Sequence, residues 1–137
     1  MKTLSIDLEP DYDFSLIGIC CHSKDFRLCW EINQRLAIDF VKTEDLILYD
    51  KKAKKAFPFF IYDDAENGLE YSLIKNRSLS GVLIPEENKV DYFLIIKGPF
   101  QKNKINEVCS LLRKVNIVLT AYPIEVSTLK SKQNLIY

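Results

Sequence analysis

Ile84-Pro85-Glu86-Glu87-Asn88-Lys89-Val90-Asp91-Tyr92 runs without interruption into Phe93-Leu94-Ile95-Ile96. Proline fixes φ and biases Ile84 towards an extended conformation, so the chain enters an acidic turn at a defined angle. The apolar residues that follow, 92–97, read as a strand that Gly98-Pro99 halts. Asp91 is placed to accept hydrogen bonds from the turn's backbone amides. Tyr92 is placed to bury its ring while its hydroxyl finds a polar partner. The stretch is a turn-to-strand junction, and the other elements are read outward from it.

Upstream, residues 46–49, 57–62 and 69–74 are strand-like. The last two are separated by a turn ending in Asn67-Gly68, a pair that tolerates positive φ, so they read as part of an antiparallel meander. Pro58 cannot donate to a ladder, which places the start of its strand at an edge or a bulge. The four lysines at 51, 52, 54 and 55 fall in the preceding turn. Residues 14–20 read as a buried strand, although periodicity alone leaves a helix open. Over residues 24–36, Phe26, Cys29 and Trp30 recur at i, i+3, i+4 as an inward face, with Arg27, Glu31 and Arg35 outside and Ser23 as N-cap. Downstream, Ile105, Val108, Cys109, Leu112 and Val115 mark a helix over 104–115, capped by Asn103 and ended by Asn116. Residues 117–122 return as a strand before Pro123.

No repeat, linker or compositional break divides the chain, so residues 1–137 are expected to form one domain. Thr3 to Leu8 reads as a strand or extended arm, within a segment 1–10 suited to pairing across subunits; residues 127–137 read as a short helix or a frayed tail. The element order predicts an α+β fold, a mainly antiparallel sheet with two principal helices packed on one face. A ferredoxin-like core with extra strands is one arrangement of that order.

Charged residues make up 28% of the chain, near the level of ordinary soluble domains, and only nine glycines and prolines punctuate it, which argues against disorder and low complexity. No apolar run approaches the roughly 18 residues of a spanning helix, and the first residues lack the apolar core of a secretory signal. The expectation is a cytoplasmic protein with no membrane partner. Cys20, Cys21, Cys29 and Cys109 suit that address as reduced, small hydrophobes. Net charge is zero but uneven: residues 1–50 carry ten acids and five bases, residues 101–137 six bases and two acids. Such asymmetry suits self-association, a weak anionic-ligand surface or simple solvation.

Two stretches carry a family resemblance. One is Ile84-Pro85-Glu86, three variable residues, then Val90-Asp91-Tyr92. The other is Phe14-x-Leu16-Ile17-Gly18-Ile19 followed by Asp25-Phe26-Arg27-Leu28-x-Trp30-x-x-Asn33, where an aromatic precedes Arg-Leu and an asparagine closes the helical stretch. On these residues the chain resembles the bacterial IPExxxVDY family, named for the first of them. That family has no assigned biochemical activity, so the resemblance speaks to architecture and leaves each role to the side chains.

Those side chains exclude much. His22 is the sole histidine, which rules out any mechanism needing two imidazoles. Cys20 or Cys21 with His22 makes a poor dyad, because sequence neighbours on a strand point to opposite faces. There is no zinc spacing, phosphate loop or nucleophile elbow, and no cofactor is implied. Glu86, Glu87 and Asp91 match no calcium loop, which leaves the acidic stretch structural, or a patch for a basic partner. Asn33 lies i+3 from Trp30 and i+4 from Cys29 on an apolar face, where a buried amide needs partners. Trp30, Asn33, Glu86, Asp91 and Tyr92 are therefore the candidate interaction or pocket residues. The aromatic run Phe57-Pro58-Phe59-Phe60 exceeds what one buried face requires. With the amino-terminal arm and the charge asymmetry, it points to a non-catalytic binding or adaptor module working through protein contacts, as a homodimer or with another protein. The alternatives are an RNA-associated accessory protein using Lys97, Lys102, Lys104, Arg113, Lys114, Lys130 and Lys132 with Phe100, and a small-molecule sensor or enzyme with a pocket near Trp30, Asn33 and Tyr92.

Overall fold

The structure is a computed structural model that describes residues 13–99 and 102–137. The strand after the junction, β9 (Tyr92–Lys97), lies inside the sheet with Phe93, Leu94, Ile95 and Ile96 fully buried. Its unbroken apolar run has a simple cause: successive side chains alternate faces, and both faces of this sheet are covered.

The other strands are β1 (Ser15–Cys20), β2 (Val41–Lys42), β3 (Leu46–Asp50), β4 (Ala53–Phe57), β5 (Phe59–Asp64), β6 (Leu69–Lys75), β7 (Arg77–Ser78), β8 (Gly81–Val82) and β10 (Thr120–Ile124). The helices are α1 (Asp25–Leu36) and α2 (Lys102–Arg113). The main sheet is antiparallel in the order β10-β1-β9-β6-β5-β2; β3 with β4 and β7 with β8 form separate hairpins. In β10-β1-β9-β6, β1 and β6 run parallel with β9 between them, and β9 and β10 run parallel with β1 between them. Two interleaved β-α-β units of this kind are the ferredoxin-like arrangement, here extended by β5 and β2.

Both helices lie on one face. Leu28, Cys29 and Ile32 of α1 and Cys109 and Leu112 of α2 pack with Ile17, Ile19, Leu73, Leu94 and Ile96 of the sheet. The opposite face, from Leu16, Ile74, Phe93 and Ile95, is covered by Leu46 and Phe57 of the β3–β4 hairpin, by Leu83, Ile84 and Val90, and by Val126, Leu129 and Leu135. The carboxy-terminal stretch is neither one helix nor frayed. It forms two 3-10 turns, Val126–Thr128 and Lys132–Leu135, docked through Leu129 and Leu135, while Ile136 stays partly exposed.

Several sequence expectations need correction. Residues 57–62 are two strands, because Pro58 breaks the run: Phe57 ends β4 in the hairpin layer and Phe59 begins β5 in the main sheet. Phe57 and Phe60 are buried in different layers, so the aromatic run is largely taken up by the core. Lys54 and Lys55 lie in β4, and only Lys51 and Lys52 make the turn. Ser23 does not cap α1; Lys24 holds that position without a side-chain bond, and the Ser23 carbonyl accepts from Tyr92 instead. Asn103 falls inside α2, its side chain outside what the structure describes, as are Thr3 to Leu8 and Phe100. The Asn67-Gly68 turn is as expected, with Gly68 at φ 66°.

Candidate interaction surface

The turn that holds Glu86 and leads into Asp91 and Tyr92 is gathered by Asn76, a fully buried residue between β6 and β7, while Glu86 and Tyr92 bond other partners. Asn76 Oδ1 accepts from the Ile84 amide (2.9 Å), and its Nδ2 donates to the carbonyls of Glu87 (3.0 Å) and Val90 (2.8 Å). Its own amide donates to the Asp91 carbonyl, and its carbonyl accepts from Leu83. Asp91 Oδ2 accepts the Cys21 amide at 2.8 Å, while Oδ1 pairs with Arg77, which also donates to the carbonyl of Asn88. The Tyr92 hydroxyl donates to the Ser23 carbonyl at 2.7 Å; burial, with Asp25 and further charges nearby, raises its pKa well above the ordinary phenol value. Glu86 accepts from the Ser131 amide (2.6 Å) and hydroxyl (3.0 Å). Partial burial pushes its carboxyl up, but these hydrogen bonds outweigh that and leave its pKa lowered. Glu86 and Asp91 thus spend their carboxylates on the fold, and with Asn76 they tie β1, β6, β9 and the carboxy-terminal turns together.

Asn33 does the same for α1. Its Oδ1 accepts the Phe40 amide at 2.7 Å and its Nδ2 reaches the Phe40 carbonyl at 3.4 Å, so one amide clamps the chain leaving the helix. The helix closes with Ala37 at φ 55°, its amide bonded to the Asn33 carbonyl.

Trp30 stands apart, with 58% of its surface exposed, and Phe26 one turn earlier has 65%. Here the expected inward face is overturned: α1 buries Leu28, Cys29 and Ile32, and only Cys29 of the predicted set. At roughly 100° per residue the two sets adjoin on the helix wheel and share Cys29. Together they make an apolar arc about twice as wide as one packing contact uses, and the core takes the aliphatic half. The Phe26 ring stands edge-on to Phe60 at 5.6 Å, and Lys42 Nζ lies 5.8 Å from the same Phe60 ring. On the other side of the sheet at the same edge, Val41 pairs with Ile61, 56% and 39% exposed. The result is an apolar rim around β2, a two-residue edge strand. The sequence reading turned Phe26 inward and passed over Val41 and Ile61; the over-wide arc of α1 was the available signal for Phe26, whereas Val41 and Ile61 depend on a register that is not local.

The four cysteines are free thiols. Burial and the nearby carboxylates of Asp25 and Asp39 push Cys29 up to about 11. Burial likewise raises Cys20, with Asp91 adding to it, and Cys109. These thiols stay protonated at neutral pH, a poor state for nucleophilic attack. Among the described residues no group of three His, Cys, Asp or Glu side chains is placed to hold a metal, and no helix is long and apolar enough to cross a membrane. A cleft of about 1100 Å³ opens beside Phe14, Gly98, Asn106, Ile124 and Lys132, and none of Trp30, Asn33, Glu86, Asp91 and Tyr92 lines it.

Two of the bases assigned to an RNA surface lie on different sides of the sheet. Arg113 on α2 donates to the Ala121 carbonyl, while Lys97 lies across the sheet with its Nζ 4.3 Å over the Tyr137 ring. No family model matches the chain, and no curated protein matches it.

Proposed function

We propose that this chain is a non-catalytic binding module that acts through protein contacts, with the rim of Phe26, Trp30, Val41 and Ile61 as its docking surface and a second copy of itself as the first partner to test. One observation carries the reading: two large aromatics stand exposed on a helix whose other apolar residues are buried or packed against the core, beside a sheet edge where Val41 and Ile61 are exposed. Tryptophan and aromatics set on a rigid element supply much contact area at low entropic cost, the composition of interface hot spots.

The sensor or enzyme alternative needs Trp30, Asn33 and Tyr92 around a pocket, but the polar atoms of the last two are spent on Phe40 and Ser23. Membership of the IPExxxVDY family is part of the proposal. Its support is the quoted motif, whose polar residues Glu86, Asp91 and Tyr92 are each bonded within the fold. The free thiols favour a reducing, cytoplasmic setting.

The test is sedimentation velocity across a wide concentration range, with the full chain and with Trp30→Glu, alongside co-purification from the native cells with and without nuclease. Reversible self-association, or a stoichiometric protein partner that survives nuclease, is expected to be lost in Trp30→Glu at unchanged melting temperature. A monomer at all concentrations with no such partner, or association indifferent to Trp30→Glu, overturns the proposal.

A further inference from the structure

The β3–β4 hairpin is anchored at one end and free at the other. At its base Leu46 and Phe57 are buried partners, and next to them the Ser80 hydroxyl accepts the Ala56 amide at 2.9 Å. Burial then declines along both strands to Tyr49, Asp50, Ala53 and Lys54, all exposed. A rigid base with a solvated tip is a projecting device.

The tip has an unusual composition. Tyr49 is 77% exposed, with no hydrogen bond or ring contact among the described residues. Lys54 is its register partner, so the two side chains leave the same face of the ladder. Lys51 and Lys52 make the turn, and Lys51 holds φ at 56°, a conformation that favours glycine or asparagine. The lysine there sets a charge at the turn against the local backbone preference. Lys55 differs: its ammonium lies 3.6 Å from Asp50, so the single acid of the tip is already answered. Lys51, Lys52 and Lys54 are left without an ion pair or hydrogen bond among the described residues.

We propose that this hairpin tip binds single-stranded nucleic acid, with Tyr49 stacking on a base and Lys51, Lys52 and Lys54 meeting the flanking phosphates. Single strands expose base faces that a duplex keeps stacked, and an exposed aromatic among cations is what they bind. An acidic peptide offers no flat face for the ring. A lipid surface fits less well, because the tip carries Ala53 and Asp50 beside its lysines and no long aliphatic side chain to enter the acyl region. With no amide or guanidinium at the tip to read base edges, binding is tolerant of sequence. The whole chain has net charge zero, so the attraction is local to the hairpin. This inference uses a surface separate from the apolar rim and does not rest on it.

The test is fluorescence anisotropy of a labelled oligothymidylate and its oligouridylate counterpart with the full chain at several salt concentrations. The variants are Tyr49→Ala, Tyr49→Phe, the triple change of Lys51, Lys52 and Lys54 to Gln, and a charge-matched change of Lys104, Lys114 and Lys130 to Gln. Competition by polyglutamate and sedimentation with phosphatidylserine vesicles complete it. Three phosphate contacts predict a log–log salt slope of about −2. Tyr49→Ala is expected to weaken binding about tenfold without changing that slope, Tyr49→Phe to retain it, and the hairpin triple to flatten the slope. Thermal melts show that each variant is folded. The proposal is overturned by no binding at low salt, by loss in the Lys104 set instead of the hairpin set, by indifference to Tyr49→Ala, by equal competition from polyglutamate, or by binding to vesicles alone.

Discussion

Asn76→Ala is the substitution that tests how the acidic turn is held. It removes one acceptor and two donor contacts, those to the Ile84 amide and to the carbonyls of Glu87 and Val90. Each hydrogen bond is worth about 1 kcal/mol net, and a buried partner left unsatisfied adds to that. The three partners are not equal. The Ile84 amide belongs to a fully buried residue and finds no substitute, whereas the Val90 carbonyl keeps Arg77 at 3.4 Å and Glu87 is partly open to water. The two backbone bonds of Asn76, to Asp91 and from Leu83, survive the change. The expected loss is about 3 kcal/mol, the net value of three bonds with a modest surcharge for Ile84. For a domain of this size that lowers the melting temperature by about 10 °C. Urea unfolding followed by far-UV circular dichroism measures it, with an unchanged m-value showing that the denatured state is not the cause. Asn76→Asp should cost more, because it turns a carboxylate oxygen towards two carbonyls. A loss under about 1 kcal/mol for Asn76→Ala would refute the clamp and leave Ile84 and Val90, both fully buried, as the anchors of the turn.

Gly98→Ala and Gly68→Ala separate backbone preference from steric clash. Both glycines have positive φ, but a Cβ at Gly98 would meet the Gly68 carbonyl oxygen at 2.3 Å, whereas one at Gly68 meets nothing. The first is expected to prevent stable folding or to cost several times the roughly 1 kcal/mol of the second, as thermal melts would show. Cys29, with its thiol at about 11 against an ordinary 9.0, holds about a hundredfold less thiolate at pH 8, which the greater nucleophilicity of that thiolate offsets in part, so it should react with a disulfide reagent at least about tenfold more slowly than an unperturbed thiol, as timed labelling and peptide mapping would report. Glu86 has its folded pKa lowered, so its contribution is fully present above the unfolded value and is lost as pH falls through the folded one. Glu86→Gln should remove that part of the acid limb from a plot of melting temperature against pH and leave neutral pH as the reference.

The local elements were legible because their signals are local. Asn67-Gly68 marks its turn, Gly98-Pro99 ends β9, and the period of Ile105, Val108, Cys109 and Leu112 marks α2. What escaped depends on distant partners. The strand at Ala53–Phe57 carries two lysines and offers no apolar alternation, and it is a strand because Leu46 to Asp50 pairs with it and Phe57 reaches the second core. Asn76 has no sequence mark at all, since its five hydrogen-bond partners lie 7 to 15 residues further along the chain. Pro58 was a visible breaker, but that it divides two layers follows only from β5 joining β6 while β4 joins β3.

The distribution of satisfied and unsatisfied groups separates what holds the fold from what is free to act. Glu86, Asp91 and Tyr92 stand out in the sequence, yet each is committed to an internal partner, and so is Asn33. A carboxylate bonded to a backbone amide and an ion pair would have to give up both to meet a ligand, and with them the junction that delivers β9 into the sheet. Trp30 and Phe26 bear no such load: with 58% and 65% of their surfaces exposed, either can change at little cost to folding. Tyr49 and its neighbouring lysines are in the same position at the other surface. The conspicuous motif therefore accounts for the fold, and the apolar surplus of α1 and the uncompensated charge of the β3–β4 tip are where binding has to be sought.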